Sequence, residues 1–182
     1  MKSGWLCVLA FVLVSCTPRF VLKGTQSDLV LYLKVYTDDP ESVWGEIAEV
    51  NRIYEPAHVR VQVFDFIPWH LSILQGESQR FFLMDSVSED SDFVHVFYTS
   101  VVLYEKPVLQ PVNGLQWSDA KERQFIALSS TRSRTTFAHE IGHVLGLPHV
   151  QNDPTNVMCS CSRKNQVSLN SNQISYLRRI PR

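Results

Sequence analysis

The sequence predicts an α/β fold in one globular domain, and three observations carry that prediction. The chain has 182 residues, of which 45% are hydrophobic, so it can bury one sizeable core. Between residues 29 and 66 the apolar pattern changes from a period of two to a helical period and back again. Further strand patterns and two more helices follow this strand, helix, strand unit. A unit of that length is typical of two parallel strands joined by a right-handed crossover.

The first three elements follow from clear periodicity. Alternate positions from Leu29 to Val35 are apolar, which predicts a strand with one strongly buried face. Asp39 then supplies an N-cap, and Pro40 begins a helix of about 15 residues that ends before Pro56. From Val59 to Phe66 the alternation returns and predicts a second strand.

The segment from Ile67 to Asp92 has no clear period, so the sequence predicts only a long connection there. Its last eight residues contain four carboxylates, at Asp85, Glu89, Asp90 and Asp92, and such a group could hold Ca²⁺. The regular spacing of a calcium-binding loop is absent, so a solvated turn is favoured over a calcium site.

The second half of the chain contains three more strand patterns and a terminal helix. The strands are expected at Phe93–Tyr98, Val112–Trp117 and Gln124–Leu128. The last helix is expected to begin after the N-cap Asn170, because Gln173 lies three residues later and completes a capping box.

The first 27 residues are predicted to direct export rather than to join the domain. Lys2 precedes an apolar stretch, Trp5–Val14, that is too short to span a bilayer and is typical of a secretory signal. Residues 13–16, Leu-Val-Ser-Cys, resemble the lipobox of bacterial lipoproteins, in which the cysteine becomes the lipid-modified first residue. The alternative is an ordinary signal peptide with an incidental cysteine. The lipobox reading divides the chain into a lipoprotein signal peptide at 1–15, a tether at 16–27 and the domain at 28–182.

Lipidation of Cys16 implies attachment to a bacterial cell envelope. Several acyl chains on one residue bind a membrane stably, since each buried CH₂ contributes roughly 0.8 kcal/mol. Thr17 stands where an Asp would often signal retention in the inner membrane. The expected location in a Gram-negative cell is therefore the outer membrane.

The charge balance does not favour nucleic acid as a partner. Lys and Arg total 17 and Asp and Glu total 18, which gives a formal net charge of -1. Binding to a phosphate backbone requires a basic excess that this chain lacks.

The most informative segment is the run of eleven residues His-Glu-Ile-Gly-His-Val-Leu-Gly-Leu-Pro-His, which ends at residue 149. Ser133 can cap a helix that begins near Arg134. In that helix His139 and His143 lie one turn apart on the same face, so both imidazoles can approach one metal ion.

The end of this helix is predicted to return a third histidine to the same point. Gly146 can adopt the left-handed conformation that ends a helix, and Pro148 forces the preceding residue into an extended shape. The chain then turns sharply and brings His149 toward the other two imidazoles. Three imidazoles with an open fourth position are typical of a catalytic zinc site.

The remaining histidines are not expected to bind metal. His58 and His70 have no ligand spacing and are interpreted as ordinary strand or loop residues. His95 shares a strand face with Phe93 and Phe97, which predicts a hydrogen-bonded histidine in the core.

With these residues, the chain resembles the metzincin clan of zinc metallopeptidases. The resemblance covers the long His-Glu-x-x-His-x-x-Gly-x-x-His motif and a candidate Met-turn at Asn156–Met158, nine residues after His149. It implies a metzincin-like fold: a twisted mixed sheet, two main helices in the upper part of the domain, an active-site helix, a Met-turn and a C-terminal helix. In the clan, the methionine forms a hydrophobic floor beneath the ligands, so Met158 is expected to be structural.

Two features depart from subfamilies of the clan. Val150 follows the third ligand and points to no subfamily, and the Met-turn has no nearby tyrosine. Archaemetzincin-like enzymes share the helix motif but add a four-cysteine zinc site, which the two cysteines outside the targeting segment cannot form. Cys159 and Cys161 form either a strained disulfide or two buried thiols. Ligation of the zinc by one of them, as a form of latency, is disfavoured because the histidines already supply the protein ligands.

The ligand set predicts hydrolysis. Zn²⁺ held by three neutral imidazoles lowers the pKa of bound water to about 7. Glu140 follows the first ligand and can act as general base without binding the metal. The resemblance implies an endopeptidase whose substrate runs along an edge strand, here at Gly114, Leu115 and Gln116.

Two other functions fit the same ligands. One is a non-catalytic surface lipoprotein, an adhesin or binding module, that zinc stabilises; Glu140 argues against it because a structural site has no need of a base. The other is zinc-dependent hydrolysis of a non-peptide amide such as a cell-wall crosslink, which the same water chemistry would serve.

Overall fold

The computed structural model describes residues 28–87, 90–105, 109–161 and 166–182. The signal peptide, the tether and Cys16 lie outside these residues, as does Glu89. The described part of the chain has no helix long and apolar enough to cross a membrane. The helices and strands, in chain order, are β1 Leu29–Tyr36, α1 Pro40–Tyr54, β2 Val59–Ile67, β3 Ile73–Gln75, α2 Gly76–Ser86, β4 Val94–Thr99, β5 Val101–Glu105, β6 Leu109–Val112, β7 Gly114–Ser118, β8 Gln124–Ser129, α3 Thr136–Val144 and α4 Ser171–Leu177.

The main sheet is mixed and has five strands. Their order is β2-β1-β4-β8-β7, and every neighbouring pair is parallel except the antiparallel pair of β7 and β8. The strand, helix, strand unit predicts parallel pairing of β1 with β2, and the structure confirms it. A smaller sheet has the order β3-β5-β6. The α/β fold class is therefore confirmed.

Two cores lie on opposite faces of the main sheet. Leu31, Leu33 and Val96 face a large cluster that also contains the apolar sides of α1 and α3. Phe97 and Phe125, which point the other way, join a smaller cluster with Leu83 of α2. Successive side chains of a strand point to opposite faces of the sheet, so α3 and α2 pack on opposite faces.

The first helix forms as predicted, from Pro40 to Tyr54. The Asp39 carboxylate accepts a hydrogen bond from the Ser42 backbone N–H at 3.3 Å and so caps the helix. At the other end of the chain, Asn170 and Gln173 form the predicted capping box of α4.

The prediction of a long connection from Ile67 to Asp92 is wrong. This segment contains β3 and α2, and its helical period was hidden because α2 buries only Leu83 completely. Phe81 and Phe82 are 59% and 62% exposed, so apolar residues lie on the outer side of the helix as well. The strand β5 was also missed.

Two predicted boundaries and one predicted helix cap need smaller corrections. The strand expected from Val112 to Trp117 is divided, because Val112 ends β6 and β7 starts at Gly114. The α3 helix begins at Thr136 rather than near Arg134, and its N-cap residue is Thr135. The predicted cap by the Ser133 side chain is wrong; instead its carbonyl accepts the Thr136 N–H at 3.0 Å.

The acidic run does not form a calcium site among the described residues. Asp90 lies 3.6 Å from the Lys34 ammonium, and Asp85 belongs to α2. In the described chain, the one group of His, Cys, Asp or Glu side chains close enough to hold an ion is the histidine group considered next.

Candidate metal centre

The three motif histidines come together at the end of α3. His139 and His143 lie one turn apart on the helix, and the chain reverses at Gly146, where φ is +81°. The Leu147 N–H donates to the Gly142 carbonyl at 2.8 Å, which closes the turn. His149 follows and faces the other two rings, as predicted.

Their Nε2 atoms form a nearly equilateral triangle. The His139–His149 and His139–His143 distances are both 3.2 Å, and the His143–His149 distance is 3.1 Å. Two nitrogen ligands of a tetrahedral zinc ion, each about 2.0–2.1 Å from the metal, are about 3.4 Å apart. The donor set and its spacing fit one zinc ion.

Backbone carbonyls orient two of the imidazoles. His139 Nδ1 donates to the Val157 carbonyl at 2.8 Å, and His143 Nδ1 donates to the Leu147 carbonyl at 3.1 Å. A proton on Nδ1 leaves the lone pair of Nε2 for a metal. Three lone pairs that point at one another repel unless a cation lies between them, so this arrangement is a metal site.

Met158 packs against the helix between the two histidine turns. It is fully buried, and a Cβ placed on Gly142 would lie 2.2 Å from Met158 Sδ. The same Cβ would lie 2.8 Å from the hydroxyl of Tyr54. Glycine at position 142 therefore lets the methionine and the tyrosine approach the helix backbone.

Tyr54 supports α3 from α1. It is fully buried and donates to the Ala138 carbonyl at 2.8 Å. Burial raises the pKa of its phenol far above the ordinary value, and the nearby carboxylate of Glu140 raises it further. The hydroxyl therefore stays protonated and serves as a donor.

A buried amide pair anchors the Met-turn, and sequence reasoning missed it. Asn156 Nδ2 donates to Gln173 Oε1 at 2.9 Å, and Gln173 Nε2 returns a bond to Asn156 Oδ1 at 3.2 Å. The same Asn156 oxygen accepts the Met158 N–H at 2.9 Å. The sequence predicts only a capping-box role for Gln173, and no local spacing indicates its bond to a residue seventeen positions earlier.

Glu140 lies beside the start of the edge strand. It is 5% exposed, and a Cβ on Gly114 would lie 2.7 Å from Glu140 Oε1. The group of converging ligand atoms consists of the three histidines, and Glu140 is not a member of it. A buried carboxylate is thus held next to the metal-binding residues, at the point where β7 begins.

The expected substrate strand lies at the edge of the main sheet. Gly114, Leu115 and Gln116 belong to β7, which pairs with β8 on one side only within that sheet. Each of the three is half-buried. An edge strand offers backbone N–H and C=O groups to an added extended peptide.

Cys159 and Cys161 form a disulfide with a sulfur–sulfur distance of 2.05 Å. The alternatives of two thiols and of a cysteine ligand to the metal are therefore wrong. Cys159 forms a parallel bridge with Val150, and the Val150 N–H donates to the Met158 carbonyl at 2.8 Å. These contacts tie the residue after His149 to the Met-turn.

The other histidines lie away from this centre. His95 is buried and hydrogen bonds to the Tyr36 hydroxyl at 3.1 Å, which confirms the predicted core histidine. His58 ends a short 3-10 helix in the left-handed conformation, and His70 is an exposed residue 3.2 Å from Asp38.

No protein-family model and no curated protein matches this sequence. Among solved structures, the fold is similar to that of archaemetzincin from Methanopyrus kandleri, with a TM-score of 0.55 and 17% identity, covering 87% of this chain and 98% of that one. It is also similar to a zinc-dependent peptidase from Methanocorpusculum labreanum, with a TM-score of 0.52 and 15% identity, covering 80% of this chain and 99% of that one. The predicted metzincin-like fold is therefore confirmed.

Proposed function

We propose that this protein is a zinc-dependent endopeptidase that hydrolyses peptide bonds. The observation that carries the proposal is a buried carboxylate beside a three-histidine site, at the start of an edge strand. The archaemetzincin and the zinc-dependent peptidase with similar folds support the same reading.

The three histidines would hold the ion, and Glu140 would move the protons. When bound, zinc supplies a Lewis acid that polarises the substrate carbonyl and makes water acidic enough to lose a proton near neutral pH. The Glu140 carboxylate accepts that proton as the water attacks the carbonyl carbon. Glu140 then gives the proton to the leaving amine nitrogen, which restores the carboxylate.

The substrate is positioned by β7. An extended peptide that pairs with this strand brings its backbone past Gly114, where the Glu140 carboxylate lies. Gly114 has no side chain to separate the peptide from that carboxylate. Backbone pairing tolerates many side chains, which favours an endopeptidase over an enzyme that recognises one small molecule.

Met158 would act as a floor that keeps the histidines in place. Its side chain packs on Gly142, and the carbonyl before it, that of Val157, orients His139. In this role Met158 contacts the helix and does not bind the metal.

The test of the function compares wild type with Glu140→Gln, which keeps the side-chain shape but removes the base. We expect one zinc per chain in both proteins and a rate of peptide hydrolysis lower by a factor of about 10²–10⁴ in the variant. Glu41→Gln, on the exposed first turn of α1, is the control and should match wild type.

The substrates are a diverse peptide library and purified peptidoglycan, with cleavage followed by mass spectrometry. Chelator-sensitive cleavage of peptides supports the proposal. If products are released from peptidoglycan and no library peptide is cleaved, the substrate is a cell-wall amide and not a protein. No cleavage by a fully zinc-loaded wild type, or equal rates in wild type and Glu140→Gln, would overturn the proposal in favour of a zinc-stabilised binding module.

We further propose that the protein is exported and anchored to the bacterial envelope through lipid on Cys16. The support is the lipobox-like sequence at residues 13–16. Mass spectrometry of the mature amino terminus should find acylated Cys16, and Cys16→Ser should abolish the acylation. A mature terminus at another residue would overturn this part without affecting the peptidase proposal.

A further inference from the structure

A cavity lies at the far end of the edge strand from Glu140. It has a volume of about 530 Å³ and lies between α2 and the turn that joins β7 to β8. Phe81 and Met84 of α2 form one wall, and Trp117 and Ser118 at the end of β7 form part of the other. The cavity and Glu140 therefore lie at opposite ends of the same strand.

The length of β7 determines how many peptide residues separate the cavity from Glu140. Trp117 is three residues after Gly114, which corresponds to about 10 Å of extended chain. Consider a peptide that pairs with β7 and has its scissile bond near Glu140. The residue three or four positions from that bond would lie beside the cavity. Antiparallel pairing is favoured because it is the more stable ladder, so this residue lies on the amino-terminal side of the bond.

The cavity also lies on a face of the sheet that such a residue can reach. Leu115 and Trp117 pack into the cluster beneath α2, whereas Glu140 approaches Gly114 from α3 on the opposite side. Side chains of an added strand alternate between these two faces. Every second side chain of the peptide therefore points toward α2.

The walls of the cavity favour an apolar side chain. Three acidic and three basic residues line it, so their charges balance. Arg123 lies 2.7 Å from Asp119, and the Arg80 guanidinium lies 3.3 Å from Glu77; the remaining two are Asp85 and Lys121. Phe81, which lines the cavity, is 59% exposed. An aromatic side chain can cover such a surface and bury it from water.

Trp117 adds apolar surface to the wall opposite Phe81. It lines the cavity and is 9% exposed, because most of its ring packs into the cluster beneath α2.

We propose that this cavity is a specificity site for the peptide substrate: it receives a large apolar side chain, aromatic by preference, three or four residues before the scissile bond. The inference depends on the proposed endopeptidase function, because that function brings a peptide to β7. It adds a sequence preference at a position distant from the metal.

Two adjacent phenylalanines of α2 provide a matched test. Phe81 lines the cavity, whereas Phe82 is equally exposed and is not among its lining residues. Wild type, Phe81→Ala and Phe82→Ala are each incubated with a peptide library that varies every position around the cleaved bond. We expect wild type and Phe82→Ala to prefer Phe, Tyr, Trp or Leu three or four residues before the bond. Phe81→Ala should lose about tenfold in kcat/KM for those peptides and change little for peptides with Gly there.

A binding measurement separates this proposal from the peptidase proposal. Peptides carrying benzoylphenylalanine at successive positions are photo-crosslinked to the Glu140→Gln protein, and the labelled residue is found by mass spectrometry. Labelling of Met84 or Phe81 supports the cavity as the site even if wild type cleaves nothing. No preference for large apolar side chains at these positions, or the same profile for Phe81→Ala and Phe82→Ala, would overturn the proposal. Labelling confined to residues outside the cavity would overturn it as well.

Discussion

The carboxylate of Glu140 lies in the space that a side chain at Gly114 would fill. A Cβ on Gly114 would lie 2.7 Å from Glu140 Oε1 and 2.8 Å from Cγ2 of Thr136. Both distances are shorter than a van der Waals contact. The strand β7 and the helix α3 can approach this closely only because position 114 has no side chain.

Gly114→Ala should therefore displace Glu140 while leaving the histidines in place. We expect peptide hydrolysis to fall by at least tenfold, since a small misplacement of a reacting group has large effects on rate. Zinc content should remain near one per chain. The control is Gly45→Ala in α1, where a Cβ meets no atom within 4 Å; it should keep full activity and gain about 0.5–1 kcal/mol of stability. Unchanged activity in Gly114→Ala would contradict the assigned role of this contact.

Gly142→Ala should weaken metal binding. The new Cβ would lie 2.2 Å from Met158 Sδ, so the methionine or the helix must move. Forcing an extra methyl group into a packed core typically costs about 1–3 kcal/mol. Thermal unfolding of the zinc-free protein measures that loss, and competition with a chelator measures the zinc affinity. Wild-type values in both measurements would show that Met158 does not support the ligands through this contact.

Gln173→Leu should destabilise the metal-free fold through the Met-turn. The substitution leaves the Asn156 amide buried without the partner that it contacts at 2.9 Å. Loss of a buried partner typically costs about 1–3 kcal/mol. Asn172→Ala, on the exposed side of the same helix, should change the free energy of unfolding by less than about 0.5 kcal/mol. Equal effects of the two variants in urea unfolding would argue against the amide pair as an anchor.

His95 should make stability depend on pH below neutrality. The pKa of its imidazole is lowered from 6.5 to about 4: burial is the main cause, the hydrogen bond to the Asp90 carbonyl opposes it, and the cations of Lys34 and Arg123 add to the lowering. Between these two values the unfolded chain binds a proton that the folded chain excludes, so stability falls as the pH falls from about 6.5 to about 4. The full difference corresponds to roughly 3 kcal/mol.

The check on His95 is a comparison with His95→Phe. Urea unfolding of both proteins at several pH values gives the free energy of each, and the metal ligands contribute equally to the two. The wild type should lose more stability than the variant across this pH range. Parallel pH profiles would show that His95 does not titrate as described.

Local signals were sufficient for α1 and for the ligands, but not for the surroundings of the site. Pro40, Asp39 and the helical period define α1 within its own residues, and the chelating spacing of His139 and His143 follows from one turn of helix. The α2 helix was missed because its exposed phenylalanines obscure the period. The contacts of Gly114 with Glu140 and of Asn156 with Gln173 join distant segments, so no window of sequence contains them.

The bond between Asn156 and Gln173 makes the ligands and their support separable in sequence. A fragment that ends at His149 contains all three ligands. It lacks the amide that holds Asn156, and through it the backbone of Met158. The eleven-residue histidine motif taken alone, or grafted onto another helix, therefore carries the donors without the buried amides that hold the Met-turn beneath them.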